Sequence, residues 1–218
     1  MTLFRERAKD TLPTILLTLA SIIQALSLEF FWNRISDEAP YLWESGPFFW
    51  SGWAQCASVF IGILVIWIYY ASLVMRLRWV PRVRDSVIPF VFGISEFALV
   101  ETMGPHALSA WFLLFGFVFA FAAWSSHTTF ERARLEDENA VFFAGTKPTP
   151  LAQHGPQLIP TALLWAFAWM ASLVNPESGV ILACMWIAAA FVLMQLWLQG
   201  VYWQRTLAFD DQPPEDDT

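Results

Sequence analysis

Long apolar stretches dominate the chain, and short polar segments that hold most of the charged residues separate them. A helix needs about 20 residues, at about 1.5 Å each, to cross the hydrocarbon of a bilayer. Six stretches approach or exceed this length with few charges: 12–32, 50–75, 86–103, 107–125, 158–174 and 179–204. Each stretch is continuously apolar, whereas the strands of a membrane barrel would alternate. The pattern predicts an all-α integral membrane protein with a six-helix transmembrane domain at 12–204.

The third and fifth stretches are the weakest of the six. The third, 86–103, contains Glu96 and Glu101, and the fifth, 158–174, is barely long enough to cross. Together with their neighbours these two stretches could instead form re-entrant hairpins, which are tolerated where they are buried in protein.

The distribution of positive charge predicts an orientation. Eleven of the twelve Lys and Arg residues lie in segments that six spans would place on one side, and Arg34 lies on the other. Positive charge in short loops opposes translocation, so the arginine-rich side is expected to be cytoplasmic. This makes residues 1–11, the loop 126–157 and the tail 205–218 cytoplasmic, and 33–49 an outer loop. Both termini are then inside, in the plasma membrane or, in a bacterium, the inner membrane.

A spacing shared by the even-numbered spans suggests an internal repeat. Each of these spans follows a proline, and an arginine comes 29 residues after that proline: Pro47 and Arg76, Pro105 and Arg134, Pro176 and Arg205. The odd-numbered spans open with Pro13, Pro89 and Pro160, which suit the first turn of a helix. One hypothesis is three related hairpins in a pseudo-threefold arrangement around an axis normal to the membrane. The other is three unrelated hairpins with similar turn residues.

Composition narrows the classes of function. The chain is 57% apolar and only 14% charged, whereas charged residues make up about a quarter of a typical soluble domain. The net charge of −7 comes largely from the acidic, proline-containing residues 210–218, which we expect to be disordered. The few cations form no stripe that would bind nucleic acid. Cys56 and Cys184 cannot supply a disulfide framework or a zinc ribbon, and no catalytic or cofactor motif of high specificity is present.

Glu96 is the most informative single side chain. It lies about ten residues, or about 15 Å, into the third span and so near the bilayer centre. Acidic groups at that depth are costly and often functional. Glu96, with Gln24 or Gln195 nearby, would be a proton or cation site, or else a neutral acid that hydrogen-bonds a neighbouring helix. Gly93, one turn earlier, would allow that helix to approach closely.

Two further groups of polar residues are candidates. Glu29, Glu101 and His106 should lie at a similar outer depth, where they would attract protons or a divalent cation, or simply extend towards water. In the second span, steps of three and four place four polar side chains on one face: Gln55, Ser58, Tyr69 and Ser72. Such a face indicates either helix packing or a polar pathway.

These features favour a channel or transporter-like protein for protons or a small cation, embedded in the lipid bilayer as a homo-oligomer or in a membrane complex. The alternative is a non-catalytic membrane subunit. It would recruit a cytoplasmic protein partner through the loop 126–157 and the acidic tail, with Glu96 as a structural hydrogen bond. An enzyme is the least supported class, because no nucleophile, metal set or cofactor set is recognisable.

Overall fold

The structure is a computed structural model that describes residues 3–80, 82–143 and 154–210. These ranges contain helices and no strand, so the prediction of an all-α fold is confirmed. The long helices are α1 (Leu3–Glu38), α2 (Phe49–Arg76), α3 (Val83–Glu101), α4 (Leu108–Ala133), α6 (Gly155–Ala171) and α7 (Gly179–Asp210). The connections hold the short α5 (Ala140–Phe143) and single 3-10 turns at Pro40–Leu42, Pro105–Ala107 and Asp137–Asn139.

Four helices within the described ranges are long and apolar enough to cross a membrane: Glu6–Asp37, Phe49–Arg76, Pro105–Ala133 and Gly179–Thr206. A membrane protein is therefore supported, but six spans are not confirmed. Helix α3 has 19 residues and carries Arg84, Asp85, Glu96 and Glu101. Helix α6 has only 17 residues. These are the two stretches whose charge and length made them the weakest predictions.

The outer surface of the bundle is apolar. Large side chains are widely exposed on several helices, including Ile94 at 67%, Trp169 at 70% and Trp197 at 66%. A soluble monomer rarely presents apolar surface of this extent. Inside, Trp111, Phe112 and Phe115 of α4 are almost completely buried and form the centre of the main hydrophobic cluster.

Consecutive long helices run in opposite directions, beginning with α1 to α3. Trp67 of α2 donates a hydrogen bond to Ser21, whereas Phe60, earlier in α2, stacks on Phe31. Helices α1 and α2 are therefore antiparallel. Gln24 of α1 bonds Glu96 of α3, and Arg34, further along α1, bonds the carbonyl of Glu101, further along α3. Those two helices are parallel.

The alternation continues through α4, α6 and α7. Asp85 near the start of α3 pairs with Arg132 near the end of α4, so α3 and α4 are antiparallel. Ser109 at the start of α4 donates to the carbonyl of Ala168 near the end of α6, so α4 and α6 are also antiparallel. Arg76 and Thr206 join the C-terminal parts of α2 and α7. One end of the bundle, which we call the basic end, therefore contains Lys9, residues 76–80, 82–85 and 132–139, and Thr206.

The helix pairs in closest association do not follow the predicted hairpins. The most extensive contacts join α4 with α6, α2 with α7 and α1 with α3. A threefold axis would make α2, α4 and α7 equivalent. However, α4 packs mainly on α6, the fifth predicted span, while α2 and α7 pack on each other. The pseudo-threefold arrangement is not confirmed.

Two glycines permit the close approach of neighbouring helices. A Cβ on Gly93 of α3 would collide with Cγ2 of Ile23 in α1. A Cβ on Gly116 of α4 would collide with the indole of Trp165 in α6. Small residues at helix contacts let backbones approach and increase van der Waals contact, which drives helix association in lipid.

Several helix boundaries differ from the sequence predictions. Pro13, Pro89 and Pro160 lie inside α1, α3 and α6 and not in their first turns. Helix α3 begins earlier because the Asp85 carboxylate accepts the Arg82 backbone N–H in a capping box. Helix α4 extends beyond the predicted end of its span at 125 and ends at Ala133. The predicted disordered tail beyond 210 and much of the loop 126–157, at 144–153, lie outside the described residues.

Candidate functional site

The carboxyl group of Glu96 lies between α1 and α3. Its Oε1 accepts a hydrogen bond of 2.8 Å from Nε2 of Gln24, and its Oε2 accepts one of 2.6 Å from Oγ of Ser27. Glu96 is only 2% exposed, and Gln24 and Ser27 are also buried. The close contact of Gly93 with Ile23, one turn away, holds the two helices near enough for these bonds.

The neighbours of Glu96 are able to bond either protonation state. As described, both carboxyl oxygens accept, which suits a carboxylate. The Oε1 atom of Gln24 is buried without a hydrogen-bond partner in the described part of the chain. Rotation of that amide would turn Oε1 towards a protonated Glu96, and the Ser27 hydroxyl both donates and accepts. After a flip of the Gln24 amide, these neighbours can therefore bond the neutral acid as well as the carboxylate.

Glu96 lies nearer one end of its helix than the sequence predicted. It is 13 residues, or about 20 Å, after Val83 and five residues, or about 8 Å, before Glu101. The predicted central depth assumed a helix extending to 103, and α3 both begins and ends earlier than that stretch.

Gln195, the other predicted amide partner, does not hydrogen-bond Glu96. It lies on α7, where its Nε2 donates to the carbonyl of Pro156 at the start of α6, 2.5 Å away. The sequence could not distinguish it from Gln24, because both are single amides in apolar spans. Spacing offers a signal that favours Gln24: Gln24 and Glu29 are five residues apart, as are Glu96 and Glu101. In the parallel helices α1 and α3 these pairs lie at matching heights.

The outer acidic residues remain on the surface. Glu29, Glu101 and His106 are all exposed. Among the described residues, no three His, Cys, Asp or Glu side chains lie where they could hold a metal ion. The nearby Arg34 guanidinium donates to the backbone carbonyls of Glu101 and Met103. These contacts brace the end of α3 and leave no assembled cation site there.

The polar face of α2 divides into two parts. Gln55 and Ser58 are completely buried: Gln55 accepts the backbone N–H of Gly104, and Ser58 donates to the carbonyl of Ala54. Tyr69 donates a 2.7 Å bond to Ser126 of α4. Tyr69 and Ser72, unlike the first pair, line a cavity of about 470 Å³ at the basic end. The first half of the face therefore serves packing, and the second half borders open space.

A narrower, apolar crevice continues inwards from that cavity. It shares Tyr69 and Gln195 with the cavity and extends to Phe92 of α3. Phe92 is one helical turn, about 6 Å, from Glu96 along the helix axis. The crevice therefore extends from the basic end towards the part of α3 that carries Glu96.

Buried ion pairs fasten the basic end. Lys9 of α1 is 2.5 Å from Glu136, and both are almost fully buried. Arg132 is 2.6 Å from Asp85 in an equally protected position. The Arg78 backbone N–H donates to the side chain of Asn139, 2.9 Å away. These contacts tie the start of α1, the α2–α3 connection and the end of α4 to one another.

The sequence analysis missed Ser27 and His154 as site residues. Ser27 follows Gln24 by one helical turn and so shares its face, which is a signal the spacing contained. His154 lies just before α6 and lines the cavity, and its ring contacts His127 edge-on at 5.5 Å. Burial and the nearby His127 lower the pKa of His154, which favours the neutral imidazole. No local sequence signal brings residues 127 and 154 together, because α4 and α6 must first pack.

Comparisons of the chain with protein-family models, with curated proteins and with solved structures found no match.

Proposed function

We propose that this protein is a small polytopic membrane protein that moves protons or a small cation across the bilayer, with Glu96 as the proton-binding group. The observation that carries the proposal is the carboxyl group of Glu96, buried between α1 and α3 and bonded by Gln24 and Ser27. A purely structural contact between these helices would not need an ionisable group, since an amide could make similar bonds at lower desolvation cost.

Two features support a role in proton movement. The free oxygen of Gln24 and the rotatable hydroxyl of Ser27 allow the site to bond both the charged and the neutral acid. The apolar crevice extends from the basic end to Phe92, which is one helical turn from Glu96 along α3. Transport proteins commonly place acids of this kind in their spans.

We also propose that all six long helices cross the plasma membrane, or the inner membrane of a bacterium, and that both termini lie in the cytoplasm. Consecutive long helices alternate in direction, as spans must. Helix α3 is about 28 Å long and α6 about 26 Å, close to the hydrocarbon thickness of about 30 Å. The charged residues of α3 lie near its two ends except for Glu96, which is bonded to α1. The arginine-rich connections support a cytoplasmic basic end.

The test is proton flux into liposomes that contain the purified protein and an internal pH-sensitive dye. We expect wild-type protein to carry flux driven by a potassium diffusion potential, and Glu96→Gln to reduce it at least about tenfold because the amide cannot take up a proton. Glu29→Gln is the matched control, since it removes an exposed carboxylate from α1. Its flux should equal that of the wild type.

Two outcomes would overturn the proposal. One is wild-type flux no higher than that of empty liposomes. The other is full flux in the Glu96→Gln protein, which would leave Glu96 as a structural hydrogen-bond partner. The alternative role, recruitment of a cytoplasmic protein through the loop 126–157 and the tail, stays a prediction, because 144–153 and 211–218 lie outside the described residues.

A further inference from the structure

The cavity at the basic end is polar on several sides. It has a volume of about 470 Å³ and is bordered by α2, α4, the start of α6 and the C-terminal part of α7. Its polar lining includes Tyr69, Ser72, Arg76, His154, Gln199 and Thr206. Among the described residues that line it, no side chain carries a carboxylate. The carboxyl group of Glu96 lies between α1 and α3 and is not part of the cavity lining.

Arg76 supplies the positive charge of the cavity. Its guanidinium donates a long bond of 3.4 Å to Thr206, and it lies over the ring of Phe130 at 5.7 Å. It pairs with no carboxylate in the described part of the chain, whereas Arg78 pairs with Asp10 and Glu138, and Arg132 pairs with Asp85. Arg76 is also partly buried, so solvent screens its charge less than that of a surface arginine.

The groups around Arg76 are mainly hydrogen-bond donors or amphoteric. The Nε2 atom of His154 is buried in the described structure without a hydrogen-bond partner. The amide of Gln199 and the hydroxyl of Tyr202 border the same space, whereas the hydroxyl of Ser72 already donates to the carbonyl of Ile68. A guanidinium with several neutral donors and no competing carboxylate matches the needs of an oxyanion with three or four acceptor oxygens.

We propose that this cavity binds an oxyanion of the phosphate type, with the guanidinium of Arg76 donating to two of its oxygens and Gln199 and His154 donating to others. The oxyanion would be either the headgroup of an anionic lipid or a free small phosphate. Tyr202 and Trp203 at the rim are both substantially exposed, and such residues favour the level of lipid headgroups. The site is separate from Glu96, so either assignment can stand without the other.

The experiment has two arms that distinguish the sources. In the first arm, inorganic phosphate is titrated into the full-length protein in neutral detergent, with chloride at equal ionic strength as the reference, and tryptophan fluorescence is recorded because Trp203 lines the cavity. In the second arm, the protein is held in nanodiscs of phosphatidylcholine with or without phosphatidylglycerol. The retained phosphatidylglycerol is then counted by native mass spectrometry. Saturable binding of phosphate alone assigns a free anion, and retention of phosphatidylglycerol alone assigns the headgroup.

The variants identify the site. In whichever arm the wild type binds, we expect Arg76→Gln to weaken binding at least about tenfold, because it removes the charge-assisted hydrogen bonds of the guanidinium. Arg84→Gln is the matched control, because Arg84 is an exposed arginine near the basic end that lines no part of the cavity. It should bind as the wild type does. Arg76→Lys keeps the charge and should bind more weakly than the wild type but more tightly than Arg76→Gln.

Three results would overturn the inference. They are no binding by the wild type in both arms, equal binding by wild type and Arg76→Gln, and equal weakening by Arg84→Gln. Gln199→Leu provides an independent check if Arg76→Gln does not fold, because it removes a neutral donor from the lining at similar volume. Gln199→Leu should weaken binding several-fold. If both Gln199→Leu and Arg76→Lys bind as tightly as the wild type, the site is rejected.

Discussion

Individual charged residues in this protein are stabilised by specific partners. Glu96 is bonded by Gln24 and Ser27, and Arg132 is held by Asp85. Burying a charge without such a partner is costly. Removing one member of a buried pair should therefore destabilise the protein mainly because the other member is left buried and unpaired. Exposed pairs such as Arg78 with Asp10 do not carry this penalty, because water solvates each group separately.

Asp85→Ala tests this difference. The substitution leaves Arg132 buried and unpaired and also removes the capping interaction at the start of α3. We expect it to lower the free energy of unfolding by about 3–5 kcal/mol. Asp10→Ala, which breaks the exposed pair with Arg78, should cost less than about 1 kcal/mol. Unfolding of the purified protein in mixed micelles with increasing dodecyl sulfate measures both, and equal losses would contradict the distinction.

Helices pack here through small residues and side-chain bonds, not through an amphipathic pattern alone. The fit between α1 and α3 depends on Gly93, against which Ile23 rests, and on the bonds of Glu96 one turn further along. Cγ2 of Ile23 is attached directly to Cβ and cannot swing away as the end of a long side chain would. A larger residue at position 93 must therefore separate the helices.

Gly93→Ala should destabilise the protein by about 1–3 kcal/mol through overpacking. It should also weaken the hydrogen bonds to Glu96. The double variant Gly93→Ala with Ile23→Ala removes the colliding methyl group and should recover part of the loss. Gly62→Ala is the control, because its nearest neighbour outside its own helix is Phe115, 3.9 Å from the new Cβ. If unfolding midpoints in mixed micelles fall equally for Gly93→Ala and Gly62→Ala, the close contact is not what the structure describes.

At the scale of the whole molecule, the described residues form a bundle of six long helices that alternate in direction, with an apolar outer surface and ion pairs at the basic end. Four of the helices are long and apolar enough to cross a membrane by themselves. The other two, α3 and α6, pack against α1 and α4, respectively. Such packing would shield the polar groups of α3 from lipid.

Cysteine labelling tests the proposed topology. Cys56 and Cys184 are buried, so they should react slowly with a membrane-impermeant maleimide. New cysteines at Glu44 and Glu177, both exposed, should label from outside intact cells because six spans place them there. Cysteines at Arg84 and Asp137 should label only after the membrane is opened. Labelling of Glu177→Cys only after opening would show that α6 does not cross and would reject six spans.

The sequence by itself determined the helices, since continuous apolar runs bounded by charges leave few other structures in a bilayer. It also located Glu96 and Gln24, because polar residues are conspicuous in such runs. It did not determine which helices are neighbours. Apolar spans carry little information about their partners, so Gln195 was as plausible as Gln24, and the hairpin repeat was as plausible as unrelated hairpins.

Only the tertiary structure decided which helices are neighbours and which amide bonds Glu96. Packing of α1 parallel to α3 brought Ser27 to Glu96, and packing of α2 on α7 formed the cavity beside Arg76. Such contacts depend on the shapes of side chains at glycines such as Gly93 and on hydrogen bonds between residues about 70 positions apart. The local order of polar and apolar residues does not predict these contacts, because their interaction energy arises only when two complete helix surfaces pack together.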